Sequence, residues 1–98
     1  MRTMLIMTME TEAGNKAISD GSLPQMMEAF FTKHNPESVY FTANNGDRTM
    51  YAVLDLKDVS DIPTICEPFF MKLNAKMEFK PVMNADELKR GLGALAQA

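Results

Sequence analysis

An α+β domain built on a four-stranded antiparallel sheet is the fold predicted for this 98-residue chain, on three observations. Strand-like runs alternate with segments whose apolar residues recur every three or four positions, the two periodicities that separate sheet from helix. Two of those runs flank Asn45-Gly46, the favoured pair for a two-residue hairpin loop. The chain is 46% hydrophobic and 23% charged, with no linker, repeat or low-complexity tract, which suits one small domain over residues 1–98.

Residues 3–10 (Thr-Met-Leu-Ile-Met-Thr-Met-Glu) are short, apolar and β-compatible, and predict the first strand. A short helix follows from Glu12 to about Asp20, where Gly21 supplies the left-handed position that ends many helices. A second helix starts at once, because Ser22-Leu23-Pro24-Gln25 has the form of a capping box with proline tolerated in the first turn. Leu23, Met26, Met27, Phe30 and Phe31 give it an apolar face, and Asn35-Pro36 stops it. Counting outward from Asn45-Gly46 then sets the hairpin register. Phe41 faces Met50 and Val39 faces Ala52 on one side of the sheet; Tyr40 faces Tyr51 and Thr42 faces Thr49 on the other.

A further helix opens at Ser60 or Asp61 with Pro63 in its first turn, and carries Ile62, Ile65, Cys66, Phe69 and Leu73 at helical spacing. Pro68 falls inside it and is expected to kink it, since proline removes one intrahelical hydrogen bond. Met77-Glu78-Phe79-Lys80 alternates as a half-exposed strand ended by Pro81. Asn84-Ala85-Asp86-Glu87 caps a last helix bearing Leu88, Leu92 and Leu95. Gly91-Leu92-Gly93 does not join a strand to a helix start, so it is expected to fray that terminus rather than cradle a phosphate. The order β-α-β-β-α-β plus a terminal helix is the ferredoxin-like plan, with helices on one face of the sheet.

Composition excludes several functions. Ten basic against thirteen acidic residues, a net charge of -3 and the lack of any Lys/Arg run or nucleic-acid motif argue against a nucleic-acid partner. Apolar stretches such as Met4–Met7 fall far short of the roughly 20 residues that cross a bilayer, so no membrane span is expected. Met1-Arg2-Thr3 leads directly into the first strand without an apolar leader, the pattern of a cytoplasmic protein. One cysteine and one histidine exclude an intrachain disulfide and a Cys/His zinc cage, and no cofactor or metal is expected. Ten methionines without tryptophan read as an adaptable core in preference to a soft-metal or redox site.

Helices on one face leave the other uncovered. That second face is expected to carry Met4, Ile6, Thr8, Glu10, Tyr40, Thr42, Thr49, Tyr51, Val53, Asp55, Lys76, Glu78 and Lys80. The mixture is too apolar for a face meant for water and too polar for a plain core. A homodimer satisfies it economically, because two-fold symmetry lets one patch cover its own copy and encloses a partly wet space between two sheets.

Ala13-Gly14-Asn15, Asp20-Gly21 with Leu23-Pro24, Pro36-Glu37 with Tyr40-Phe41, Gly46 with Arg48-Thr49, Glu67-Pro68 with Phe70, and Phe79 with Pro81-Val82-Met83 carry a further resemblance. The combination resembles a small uncharacterised bacterial family, similar in plan to the dimeric α+β barrel superfamily that includes muconolactone isomerase-like and antibiotic-synthesis monooxygenase-like proteins. The resemblance implies a dimeric barrel and transfers no catalytic motif.

The candidate ligand-binding residues are Tyr40, Tyr51, Asp55, Glu78 and Arg48. A tyrosine pair beside a carboxylate in a partly dry cavity can bind, or exchange protons with, a small phenolic or carbonyl compound; the plainer reading is a cross-strand aromatic pair buried at the dimer interface. Arg48 can clamp a carboxylate bidentately, or be solvated or paired with Asp47. Glu78 between Lys76 and Lys80 reads as a solvated charge ladder, the sharper alternative being a buried Lys80 with a lowered pKa. Asp55, Asp58 and Asp61 lack the glycine and closing glutamate of a calcium loop and read as acids before a helix start. His34 at a helix C-terminus favours the dipole, with a general-base role as the alternative. Cys66 reads as an inert buried thiol rather than a nucleophile. The leading functional expectation is therefore a small, partly apolar ligand bound between the sheets of a homodimer. The alternatives are a cofactor-independent isomerase or monooxygenase-like enzyme using the same residues, and an interaction module whose barrel is filled by side chains.

Overall fold

The computed structural model describes residues 1–96. Its elements run β1 (Arg2–Thr8), α1 (Thr11–Ser19), α2 (Ser22–His34), β2 (Ser38–Asn44), β3 (Asp47–Asp55), α3 (Asp61–Leu73), β4 (Lys76–Pro81) and α4 (Ala85–Leu95). The strands form one antiparallel sheet in the order β2-β3-β1-β4, compatible with a ferredoxin-like plan. No described helix is long and apolar enough to cross a membrane.

The hairpin follows from its loop. Asn45 and Gly46 both take positive φ, 54° and 83°, as a type I′ turn requires. Tyr40 consequently faces Tyr51, Phe41 faces Met50 and Thr42 faces Thr49, the register expected from the sequence. Along β1, buried Thr3, Leu5 and Met7 alternate with half-buried Met4, Ile6 and Thr8. Leu5, Met7, Met50, Ala52 and Leu54 join Ala17 of α1, Met27 and Phe30 of α2, and Ile65, Phe69 and Leu73 of α3 in one buried cluster. Four methionines, Met7, Met9, Met27 and Met50, lie in that cluster, as unbranched residues that fill irregular gaps should.

The helix starts depart from the sequence reading in two places. Glu10, expected on the open sheet face, instead caps α1, its carboxylate accepting from the Ala13 N–H at 2.6 Å. The chain leaves the sheet after Thr8, so Glu10 no longer shares the strand's alternation. The capping box at Ser22-Gln25 does not form. Only Asp20 and Gly21 separate α1 from α2, Gly21 takes φ 78°, and Ser22 is already helical. The cap falls to Asp20, whose carboxylate accepts from the Ser22 N–H at 2.9 Å and pairs with Lys72 at 3.3 Å. At the other end of the chain the box does form, Asn84 and Glu87 each accepting from the other's backbone N–H. Gly91 and Gly93 sit within α4 instead of fraying it. Pro68 lies inside α3 as expected, and Asn35 and Asn74 close α2 and α3 in the left-handed conformation.

The Ser22 hydroxyl and backbone N–H, helped by Lys72, lower the Asp20 pKa from 3.8 to about 2. A carboxyl whose pKa is lower folded than unfolded stabilises the fold fully above the unfolded value, and that contribution is lost as pH falls through the folded one. Asp20→Asn is therefore expected to lower the urea midpoint at pH 6, with the gap to the parent chain shrinking between about pH 4 and pH 2. A gap independent of pH would contradict this role for Asp20.

Candidate functional site

The open face of the sheet is organised in rows by the register. One row runs Tyr40 (β2), Tyr51 (β3), Ile6 (β1), Glu78 (β4). Beside it run Ser38, Val53, Met4 and Lys80 on one side, and Thr42, Thr49, Thr8 and Lys76 on the other. Met4, Ile6, Tyr51 and Val53 in the middle are half-buried, whereas Tyr40 on the edge strand is 71% exposed. An apolar centre is thus flanked by phenols at one end and by a carboxylate and two ammonium groups at the other.

Of the five candidate residues, three share this row. Tyr40 and Tyr51 are direct cross-strand neighbours, with Cβ atoms about 5 Å apart by sheet geometry. Glu78 lies two strands from Tyr51, across Ile6, a separation of about 10 Å. The Tyr51 hydroxyl instead accepts from the Asn44 amide at 3.4 Å. Asn44 was not singled out from the sequence, although it falls on the same alternation as Tyr40 and Thr42.

Asp55 shares the alternation of Tyr51 but sits four residues further along β3, about 13 Å away. Its carboxylate accepts from the Met1 amino group at 2.7 Å, and that cation holds it below the usual carboxylate range. Arg48 lies apart from the other four. It alternates with Met50 and Ala52 on the helix side, where Nη2 donates to Asn15 Oδ1 at 2.9 Å and Nη1 to the Thr11 carbonyl at 3.4 Å. A Cβ on Gly14 would stand 2.7 Å from Arg48 Nη1, so the glycine in Ala13-Gly14-Asn15 makes room for the guanidinium. Its hydrogen-bond partners are thus on α1, and Asp47 is not among them.

The other titratable groups have separate local tasks. Asp58 accepts from the Ser60 N–H at 2.8 Å in the turn before α3, and Ser60 pulls its pKa down. Lys80 and Glu78 stand 3.8 Å apart with both side chains exposed, the solvated ladder rather than a buried lysine. Cys66 is buried and its thiol is pushed up by that burial and by Glu67.

A concavity of about 250 Å³ between α2 and α3 was not foreseen. Met26, Phe30, Ile65, Pro68 and Phe69 line it, with His34 and Lys33 at its rim. Burial and the Lys33 charge lower the His34 pKa, and the ring lies against Phe30 with centroids 5.4 Å apart. The space is below the roughly 300–1,000 Å³ of small-molecule sites and has few polar groups to orient a ligand. No protein-family model, curated protein or solved structure matches the chain, so fold and side chains alone define its class: an α+β domain with one four-stranded antiparallel sheet, whose Leu5, Met7, Met50 and Ala52 share a buried cluster with residues of α1, α2 and α3.

Proposed function

We propose that the chain is a homodimer that binds a small phenolic or carbonyl compound between its two open sheet faces. The observation that carries this is the row Tyr40, Tyr51, Ile6, Glu78, in which hydroxyls and a carboxylate stand about 10 Å apart across an apolar centre. An apolar ring seated on Ile6 can meet Tyr51 at one side and Glu78 at the other. Half-buried Met4, Ile6 and Val53 supply the apolar surface that makes solvent a poor cover for the face. A second copy supplies the same surface by symmetry, within the dimeric α+β barrel plan that the sequence resembles. Binding is favoured over acid-base catalysis because the Tyr51 hydroxyl is paired with the Asn44 amide and not with a carboxylate.

Both tyrosines lie on this face and the chain has no tryptophan, so ultraviolet emission reports on the face directly. Titration with cyclohexanone is expected to change tyrosine emission saturably, and titration with p-cresol to give a saturable calorimetric signal. Tyr51→Phe removes one hydroxyl with little change of shape and is expected to weaken both by about tenfold, the worth of one hydrogen bond of about 1–1.5 kcal/mol. Linear collisional quenching with no calorimetric saturation, or equal affinity in Tyr51→Phe, would overturn the reading.

A further inference from the structure

Arg48 stands outside the row on the open face, and its surroundings form a place of their own. Between the helix side of the β2–β3 hairpin and the start of α2 lies a concavity of about 340 Å³. Met9, Leu23, Met27, Phe41 and Ala43 supply its apolar walls, and Arg48 is the one charged residue that lines it. The register explains the grouping: Ala43 is opposite Arg48 and Phe41 is opposite Met50, all four on the side that carries the buried cluster. The helices leave this end of that side open. Phe41 on the edge strand is 59% exposed, whereas Met50 across from it is fully buried.

The half-buried guanidinium is held in place without being neutralised. Both of its hydrogen-bond partners, the Thr11 carbonyl and Asn15 Oδ1, are uncharged, and they engage two of the five N–H groups that a guanidinium presents. No carboxylate among the described residues forms an ion pair with it. The acids nearest in the chain are committed elsewhere, Asp47 to the Thr11 hydroxyl at 3.4 Å and Glu10 to the Ala13 N–H at 2.6 Å. Arg2, by contrast, pairs with both Glu37 and Glu87. Gly14 gives up helix stability relative to alanine at the point where a Cβ would crowd Arg48 Nη1.

An anion that docks on the remaining N–H groups gains charge-assisted hydrogen bonds without first breaking an ion pair, and the planar fork of a guanidinium matches a carboxylate. We propose that this concavity binds a small monocarboxylate with an apolar body, an aryl or branched aliphatic acid, its carboxylate on Arg48 and its body against Leu23, Met27 and Phe41. Apolar walls around one fixed polar group, in a volume within the roughly 300–1,000 Å³ of small-molecule sites, are what orient such a ligand. A single cation with no second beside it suits one negative charge better than the two of a phosphate. The site lies on the opposite side of the sheet from Tyr51 and Glu78, so it does not depend on what covers the open face.

Phenylacetate is the probe, with phenylacetamide as its uncharged counterpart. NMR of the full-length chain carrying ¹³C in its methionine methyl groups reads three places at once: Met9 and Met27 in this concavity, Met26 in the one between α2 and α3, and Met4 on the open face. Phenylacetate is expected to shift the Met9 and Met27 signals saturably below about 10 mM and to leave Met4 and Met26 in place, and the amide to bind at least about tenfold more weakly. Arg48→Met is expected to remove the preference for the carboxylate, and Tyr51→Phe to leave it unchanged. Far-UV circular dichroism checks the fold. Because Arg48→Met also cuts the ties to α1, Phe41→Ala at an exposed position is the second variant, expected to keep the fold and to weaken both probes alike. No saturable shift of Met27 in the parent chain, equal affinity for acid and amide, or unchanged affinity in Phe41→Ala would overturn the proposal, as would a folded Arg48→Met protein that still prefers the acid.

Discussion

Phe69→Ala is expected to destabilise the fold by about 3–5 kcal/mol, the cost of deleting a large buried aromatic side chain. Phe69 is 2% exposed at the centre of the cluster that joins α2 and α3 to the sheet, and its ring meets that of Phe30 edge-on with centroids 5.6 Å apart. Truncation removes the transfer energy of the ring, opens a cavity that the surrounding side chains fill only in part, and forfeits the aromatic pair. One kcal/mol shifts the melting temperature of a domain this size by about 4–8 °C, so a fall of at least about 12 °C is expected. Phe70, the next residue, is 43% exposed, and Phe70→Ala is expected to cost less than about 1.5 kcal/mol. Equal losses in the two variants would show that the burial of α3 is described wrongly.

The second large effect concerns assembly. Ile6 stands at the middle of the open face, between Tyr51 on β3 and Glu78 on β4. Ile6→Glu places a carboxylate beside Glu78 on the neighbouring strand, and in a face-to-face dimer the two-fold axis brings two such pairs to one interface. Burying unpaired like charges there is expected to raise the dissociation constant at least 1,000-fold, about 4 kcal/mol. Within one protomer the position is only half-buried, so the isolated domain is expected to keep its fold. Sedimentation equilibrium checks both points. A folded Ile6→Glu protein that still dimerises as the parent does would place the interface elsewhere.

Where local chemistry decides structure, the sequence was readable. The Asn45-Gly46 loop permits one tight register, and every cross-strand pair of the hairpin follows from it. Asn84 and Glu87 cap α4 because nothing precedes them that competes for the helix start. The same spacing at Ser22 and Gln25 misled, because Gly21 is only two residues beyond the end of α1 and turns the chain before Ser22. Arg48 joins the candidate ligand residues on its charge, while alternation from Asn45-Gly46 sets it on the side of Met50 and Ala52, where it meets α1. The concavity between α2 and α3 depends on how far apart two helices settle on the sheet, which no local pattern encodes. The leucine spacing of α4 predicts a packed helix, and the exposure of Leu88, Leu92 and Leu95 emerges only from the fold.

Native mass spectrometry on freshly purified full-length protein tests the central claim most directly, because one spectrum reads assembly and retained ligand together. The expected spectrum is a dimer of the 11.0 kDa chain carrying a defined small extra mass, released when Tyr51→Phe and Ile6→Glu are examined in the same way. A bare monomer at micromolar concentration would contradict the account, since the open sheet face would then be a surface exposed to water.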